Sequence, residues 1–270
     1  MTHDVGSEFR ALHQKGNPFI LANAWDIGSA KVLVAMGAEA IATSSAAHAF
    51  TLGRPDMGHV SRDEALAHAQ DLVTAVNVPV SGDFENGFGE DPDRCAQTVR
   101  LAAEVGLAGI SIEDTALPAA TPYERALAIE RIQAAASAAR ALPKDFVLLA
   151  RADGVMNGQY DLKEALARIK GYEAVGADAL YIPLPGTLED QERICAATKL
   201  PVNALAAGPF TNITRDQFAK AGVARISLGS ALARATHRVL HDAAQAMFDE
   251  GDFSALGQSI SGAKIDAMLG

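Results

Sequence analysis

One phrase recurs along this chain: a helix-like stretch ends at glycine, a small residue follows, and an apolar strand begins. It appears as Met36-Gly37-Ala38-Glu39-Ala40-Ile41-Ala42-Thr43 and as Val105-Gly106-Leu107-Ala108-Gly109-Ile110-Ser111-Ile112. It returns as Val175-Gly176-Ala177-Asp178-Ala179-Leu180-Tyr181-Ile182 and as Ala221-Gly222-Val223-Ala224-Arg225-Ile226-Ser227-Leu228. Glycine just past a helix accepts the left-handed conformation that closes it. Only a few residues then separate helix from strand, as in α/β units. Four further apolar runs fill the gaps: Pro18 to Ala24, Val78 to Gly82, Phe146 to Arg151 and Leu200 to Ala204. Near-continuous apolar runs suit parallel strands buried on both faces.

The stretches between them read as helices. Ser61-Arg62-Asp63-Glu64 is a capping box, and Asp91-Pro92 and Thr121-Pro122 place proline at a first helical position. Eight strands alternating with eight helices is the pattern of a (β/α)₈ TIM barrel. An open doubly wound sheet is the alternative, but no Gly-x-Gly-x-x-Gly follows the first strand. No linker or low-complexity stretch divides residues 1–270, which read as a single domain. Ala231 to Phe248 and Phe253 to Leu269 are surplus to a minimal barrel. This helical extension, 231–270, is expected to cover the barrel's bottom or to pack on a neighbouring subunit.

With 270 residues, 49% of them hydrophobic, the chain can bury a large core. Its net charge is −10 with no lysine or arginine cluster, which argues against nucleic acid and against an anionic membrane. No run approaches the ~20 apolar residues of a membrane span. The polar start, Met1 to Gly6, carries no signal-peptide pattern. Cys95 and Cys195 lie in helix-like stretches and read as reduced structural thiols, so a cytoplasmic location is expected.

In a barrel of this kind the chemistry sits at the C-terminal ends of the strands. Asp83 and Glu85 follow the third strand and Glu113 the fourth. Such acids either pair with lysine or arginine, cap the next helices, or hold a hard divalent cation. Their clustering on adjacent strands favours the cation. Arg151 ends the fifth strand, where it can neutralise these acids or clamp a substrate carboxylate. Ser44 and Ser45 follow the second strand and let backbone N–H groups approach an anion. Asn23, Trp25, Asp114, Asp153, Tyr181, Asn203 and Ser227 complete the polar strand ends. No histidine ends a strand. His48 and His59 flank the loop after the second strand; they could reach the site from there, but read first as solvated loop residues.

These residues resemble the isocitrate lyase/phosphoenolpyruvate mutase superfamily, from about Phe9 to the C-terminal helices. The resemblance rests on Asp83-Phe84-Glu85-Asn86-Gly87-Phe88-Gly89, with Ile112-Glu113-Asp114, Ala150-Arg151-Ala152-Asp153, Thr43-Ser44-Ser45 and Leu52-Gly53-Arg54-Pro55-Asp56 at matching places. It implies Mg²⁺, with Mn²⁺ as a substitute, and a small 2-oxo or 2-hydroxy carboxylate whose enolate is stabilised as a bond breaks. It implies Asp83 as direct metal ligand, with Glu85 and Glu113 holding coordinated waters and Asp56 as a loop acid nearby. Ser44 and Ser45 match the pair that binds the carboxylate, Trp25 and Asn203 match pocket positions, and Arg151 matches the arginine on the substrate's oxygens. It also implies a homo-oligomer, a tetramer, through the C-terminal helices.

The segment Thr115-Ala116-Leu117-Pro118-Ala119-Ala120-Thr121-Pro122 departs from the pattern. It lacks the Lys-[Lys/Arg]-Cys-Gly-His loop of isocitrate and methylisocitrate lyases and the Lys-Thr-Asn loop of the mutases. The stretch is more similar to the oxaloacetate decarboxylase branch. Three readings follow: a Mg²⁺-dependent carbon–carbon lyase, a non-catalytic binder of oxaloacetate or 2-oxoglutarate, and a P–C bond-cleaving member. A phosphate-binding barrel, suggested by Ala206-Ala207-Gly208 and Leu228-Gly229-Ser230, belongs to a different class.

Overall fold

The structure, a computed structural model, describes residues 4–270, so the reading of Met1, Thr2 and His3 lies outside the described residues. Eight strands form a closed, parallel barrel: β1 (Phe19–Asn23), β2 (Ile41–Ala42), β3 (Val80–Asp83), β4 (Gly109–Glu113), β5 (Val147–Arg151), β6 (Ala179–Tyr181), β7 (Val202–Leu205) and β8 (Arg225–Ser227). Each strand pairs with its sequence neighbours, and β1 closes the circle on β8 through Phe19↔Arg225 and Leu21↔Ser227. The expected TIM barrel is the observed fold. The four recurrent glycines, Gly37, Gly106, Gly176 and Gly222, all have φ between 84° and 101°, the region that favours glycine.

Helices pack around the barrel, and their starts are chemically marked. Ser61 accepts from Glu64 N–H while the Glu64 side chain accepts from Ser61, the predicted capping box. Asp91 caps Pro92–Glu104 with Pro92 in the first turn, also as predicted. Thr121-Pro122 behaves otherwise. It pairs with Thr115–Ala116 in a small antiparallel ribbon, and the next helix begins at Arg125. The ribbon wins because Tyr123 N–H donates back to Asp114 O, holding the segment extended.

The barrel's bottom is closed by a helix that the strand pattern does not announce, Val5–Leu12. Asp4 caps it, and Phe9 packs with Phe19, Leu21 and Val147 as an apolar plug. Full burial of a side chain of this size contributes roughly 1.5–3 kcal/mol. Gly6 lies so near the backbone of Asp145 that a Cβ there would stand 1.8 Å from its carbonyl oxygen. Arg10 donates to Asp145 at 2.6 and 2.7 Å and to Asp178 at 2.8 Å, fixing the helix to the strand starts.

The C-terminal extension returns to the helix Ile27–Ala35. Its last helix, Gly262–Leu269, packs beside Ile27–Ala35, with Lys31 Nζ donating to Leu269 O at 2.8 Å. Cys95 and Cys195 are buried, free thiols. Among the described residues no helix is long and apolar enough to cross a membrane.

Candidate active site

The ends of β3, β4 and β5 bring Asp83, Glu113 and Arg151 together. Register explains it: Asp83 pairs with Ser111, and Glu113 lies directly across from Arg151. Arg151 Nη1 donates to Asp83 Oδ1 at 2.8 Å. Its Nε and Nη2 donate to the two Asp153 oxygens at 3.1 and 2.6 Å. Nη2 also stands 3.2 Å from Glu113 Oε2. Burial works against the guanidinium's charge, but Asp153, Glu113 and Asp83 more than offset it and hold its pKa well above the ordinary value.

Asp83 is the junction. Its Oδ2 accepts from the Ser45 backbone N–H at 3.0 Å and from the Ser45 hydroxyl at 2.9 Å. Ser45 opens the helix Ser45–Thr51, and Ser44 caps that helix by accepting from Ala47 N–H at 3.3 Å. The carboxylate thus faces a helix N-terminus, where negative charge is favoured. Both predicted serines reach the site. Ser45 is engaged by Asp83 and Ser44 by its own helix.

Glu85 follows in a turn with φ of 45°, a strained conformation for a non-glycine residue, costing on the order of 1–3 kcal/mol. Its carboxylate accepts from Gly58 N–H at 2.9 Å, and its carbonyl accepts from Glu113 N–H at 2.9 Å. Arg131 ties the same turn down from below, donating to the carbonyls of Asn86, Gly89 and Glu113. Burial raises the Glu85 carboxyl to about 7, the Gly58 bond opposes it, and the charges of Asp83 and Asp56 add to it. Burial also raises Glu113, well above the usual range, against the pull of Arg151. Asp56, half-buried in the loop after β2, is raised by burial and by Asp83 and is hydrogen-bonded by the Ser45 side chain. These acids are near enough to feel one another, and Arg151 is the cation at their centre.

Asp114, next along the chain, has a different role. It is 2% exposed and accepts from Tyr160, Arg168 and Tyr172 at 2.6, 3.0 and 3.2 Å. Its other oxygen accepts from Asp153 N–H at 2.9 Å. It therefore positions Asp153, and through it Arg151.

Above the barrel axis opens a cavity of about 600 Å³, walled by Asn23, Ser45, Asp56, Asp83, Arg151 and Tyr181 among others. Asn23 braces the wall: its amide donates to Thr43 O at 2.7 Å, and its oxygen accepts from Leu228 and Gly229 N–H at 2.9 Å each. Two expected pocket residues lie off these walls. Trp25 turns its carbonyl to His68 Nε2 at 3.0 Å. Asn203 is buried one layer down, donating to Ser227 Oγ at 2.8 Å and accepting from Arg225 Nε at 2.9 Å. His48 is no solvated loop residue. It is buried on Ser45–Thr51, stacked on His68 at 3.8 Å, and lines a small pocket with Asp83 and Glu85. Its helix puts it there, which no strand-end rule anticipates. Arg225 was not among the strand-end candidates, although an arginine inside the run Val223 to Ser227 is a signal that one inward position is charged.

Comparison with known proteins agrees with the fold. The family model described as phosphoenolpyruvate phosphomutase matches residues 9–248. A lyase/mutase candidate from Burkholderia cenocepacia J2315 shares 42% identity and superposes with a TM-score of 0.93, covering 97% of this chain and 94% of that one. Oxaloacetate decarboxylase of Marinomonas sp. (strain MWYL1) is 27% identical over 89% of this chain and 84% of its own. The 2-methylisocitrate lyase of Salmonella typhimurium (strain LT2) is 28% identical over 92% and 86%. The chain is an enzyme of the phosphoenolpyruvate phosphomutase family.

Proposed function

We propose that this protein is a Mg²⁺-dependent lyase. It would cleave a carbon–carbon bond in a small 2-oxo or 2-hydroxy (di)carboxylate, by decarboxylation or retro-aldol cleavage, through an enolate. One observation carries the reading: Asp56, Asp83 and Arg151 line the cavity, Glu113 lies against Arg151, Glu85 shares the adjoining small pocket with Asp83, and burial together with mutual repulsion raises the carboxyls of Asp56, Glu85 and Glu113. Hard oxygen donors in excess of positive charge fit a hard divalent ion. Among the described residues no group of three or more Asp, Glu, His or Cys is disposed to hold a metal. Mg²⁺ characteristically takes one or two carboxylates directly and completes its shell with waters.

Asp83 would be the direct ligand, and Glu85 and Glu113 would hold coordinated waters, with Asp56 closing over them. The bound ion would supply polarisation of the substrate's 2-oxo oxygen. Arg151 would place fixed positive charge where the enolate's negative charge develops. Ser44 and Ser45 would bind the carboxylate at the helix N-terminus once Ser45 exchanges Asp83 for substrate. A panel of 2-oxo and 2-hydroxy acids with Mg²⁺, phosphonopyruvate included, assayed for pyruvate, glyoxylate, CO₂ and phosphate, tests the reading. Tight binding of oxaloacetate or 2-oxoglutarate with no product under any metal would leave the non-catalytic binder, the reading that the Cys-, Lys- and His-free ribbon Thr115–Pro122 favours.

Glu85 offers a metal readout besides activity. In the metal-free protein its folded pKa of about 7 exceeds the ordinary 4.5. Between those values the folded state keeps a proton that the unfolded state releases, so stability falls as pH rises and levels off above 7. Glu85→Gln is expected to flatten this slope in thermal melts. Mg²⁺, which needs the ionised form, is expected to raise the wild-type melting temperature more at pH 8 than at pH 6. An equal Mg²⁺ effect at both values would remove Glu85 from the metal's shell.

The C-terminal extension supports an oligomer. Val239, Leu240, Phe248 and Phe253 are largely exposed, Phe248 by 84%, an apolar surface suited to a neighbouring subunit. Light scattering on the eluted protein is expected to give a tetramer, and a monomer would contradict this.

A further inference from the structure

Arg225 lies inside the barrel, beneath the acids, and is 4% exposed. It starts β8, points inward, and forms part of the cavity's floor with Ser227, Leu21 and Leu205. Its Nε donates to Asn203 Oδ1 at 2.9 Å, and its Nη1 is buried with no hydrogen-bond partner. No ion pair to Arg225 exists among the described residues. The other buried arginines are each held by several acceptors, although Arg131 Nε also lacks a partner. Arg131 holds three carbonyls, Arg168 holds Asp114 and Glu164, and Arg151 holds Asp83, Asp153 and Glu113. Burial pushes the Arg225 guanidinium down to about 10, which leaves it charged at neutral pH. A buried charge with an idle donor is costly unless an anion completes it.

We infer that Arg225 is the floor receptor for a second carboxylate of the substrate, and that it makes the enzyme select dicarboxylates over monocarboxylates. The inference rests on the lyase reading for its substrate class. A guanidinium offers a carboxylate two parallel donors, and Arg225 lines a cavity of about 600 Å³, wide enough for a small diacid. Ser227, hydrogen-bonded to Asn203 and to the Tyr181 side chain, adds a polar rim to an otherwise apolar floor. Arg151 at the mouth is fully engaged by acids, so the floor holds the cavity's uncommitted buried cation. A diacid spanning the two levels would have its 2-oxo end at Asp83 and its far carboxylate at Arg225.

Calorimetry on the full chain with Mg²⁺ tests this with matched ligands: 2-oxoglutarate against 2-oxopentanoate, and malate against 2-hydroxybutyrate. Wild type is expected to bind the diacid of at least one pair tighter by about tenfold or more. Arg225→Met is expected to bring that ratio near one while monoacid affinity changes by no more than about twofold. Removing an unpaired buried charge is also expected to leave the melting temperature unchanged or higher. A ratio that survives the substitution, a parallel loss of both ligands, or no diacid preference in wild type would overturn the assignment. Should Arg225→Met not fold, Arg225→Gln, which keeps a donor for Asn203 without charge, reads the same ratio with the same outcomes. Chloride binding tighter than either diacid and lost in the variant would assign the floor to an inorganic anion instead, against the proposal. The two readings fail separately. Arg225-dependent diacid binding without turnover of any acid sinks the lyase, and turnover without an Arg225-dependent ratio sinks the floor receptor.

Discussion

Asp83→Ala is expected to lower kcat/KM by about 10³-fold or more and to abolish the response of turnover to added Mg²⁺. The size follows from what the carboxylate holds. It receives the Ser45 N–H and hydroxyl, the Ser111 hydroxyl at 3.4 Å and Arg151 Nη1. Alanine removes the proposed direct ligand and leaves Arg151 without one of its three acids. Loss of a Lewis acid worth several kcal/mol, at about 1.4 kcal/mol per tenfold, gives the stated range. Asp83→Asn keeps the shape and loses the charge, and it is expected to fall nearly as far. Steady-state assays across a Mg²⁺ titration, with melting curves to confirm folding, decide it. Full activity in either variant would end the case for a metal at Asp83.

Much of this site is legible in the sequence, for a definite reason. The helix–glycine–strand phrase sets the strands, and strand ends set the level at which Asp83, Glu113 and Arg151 meet. Side chains one strand apart and in register must be neighbours, so their roles need no knowledge of loops. What stays hidden depends on contacts distant in sequence. Asp114 looks like a twin of Glu113, yet Tyr160, Arg168 and Tyr172, all from beyond β5, make it a brace. Phe9 reveals itself as the plug only once Phe19 and Val147 meet beneath the barrel. Thr121-Pro122 carries a real helix-start signal, overridden by pairing with Thr115–Ala116. Trp25 and Asn203 occupy the expected positions in the chain, but neither lines the cavity, and Asn203 sits one layer down against Ser227 and Arg225, a level that sequence does not fix.

Arg151 is where fold and chemistry are hardest to separate, and two substitutions separate them. Arg151→Lys keeps the charge but not the planar fork that grips Asp153 with two bonds and Asp83 with a third. It is expected to fold and to lose about 10²–10³-fold in kcat, with a smaller change in KM, because the charge no longer sits at the developing enolate. Arg151→Met leaves Asp153 and Glu113 buried without a counter-charge and is expected to cost about 3–5 kcal/mol of stability near neutral pH. That cost depends on pH with a fixed sign. Burial already raises both acids above their ordinary values, and Arg151 restrains the rise. Without the arginine their folded pKa values climb further. The folded state then holds protons that the unfolded state releases, and stability drops as pH rises through those values. The melting deficit of Arg151→Met against wild type is therefore expected to be small at pH 5 and large at pH 8. A deficit independent of pH would mean that Arg151 acts by packing alone, and that its bonds to Asp83, Asp153 and Glu113 do not organise the charges of the site.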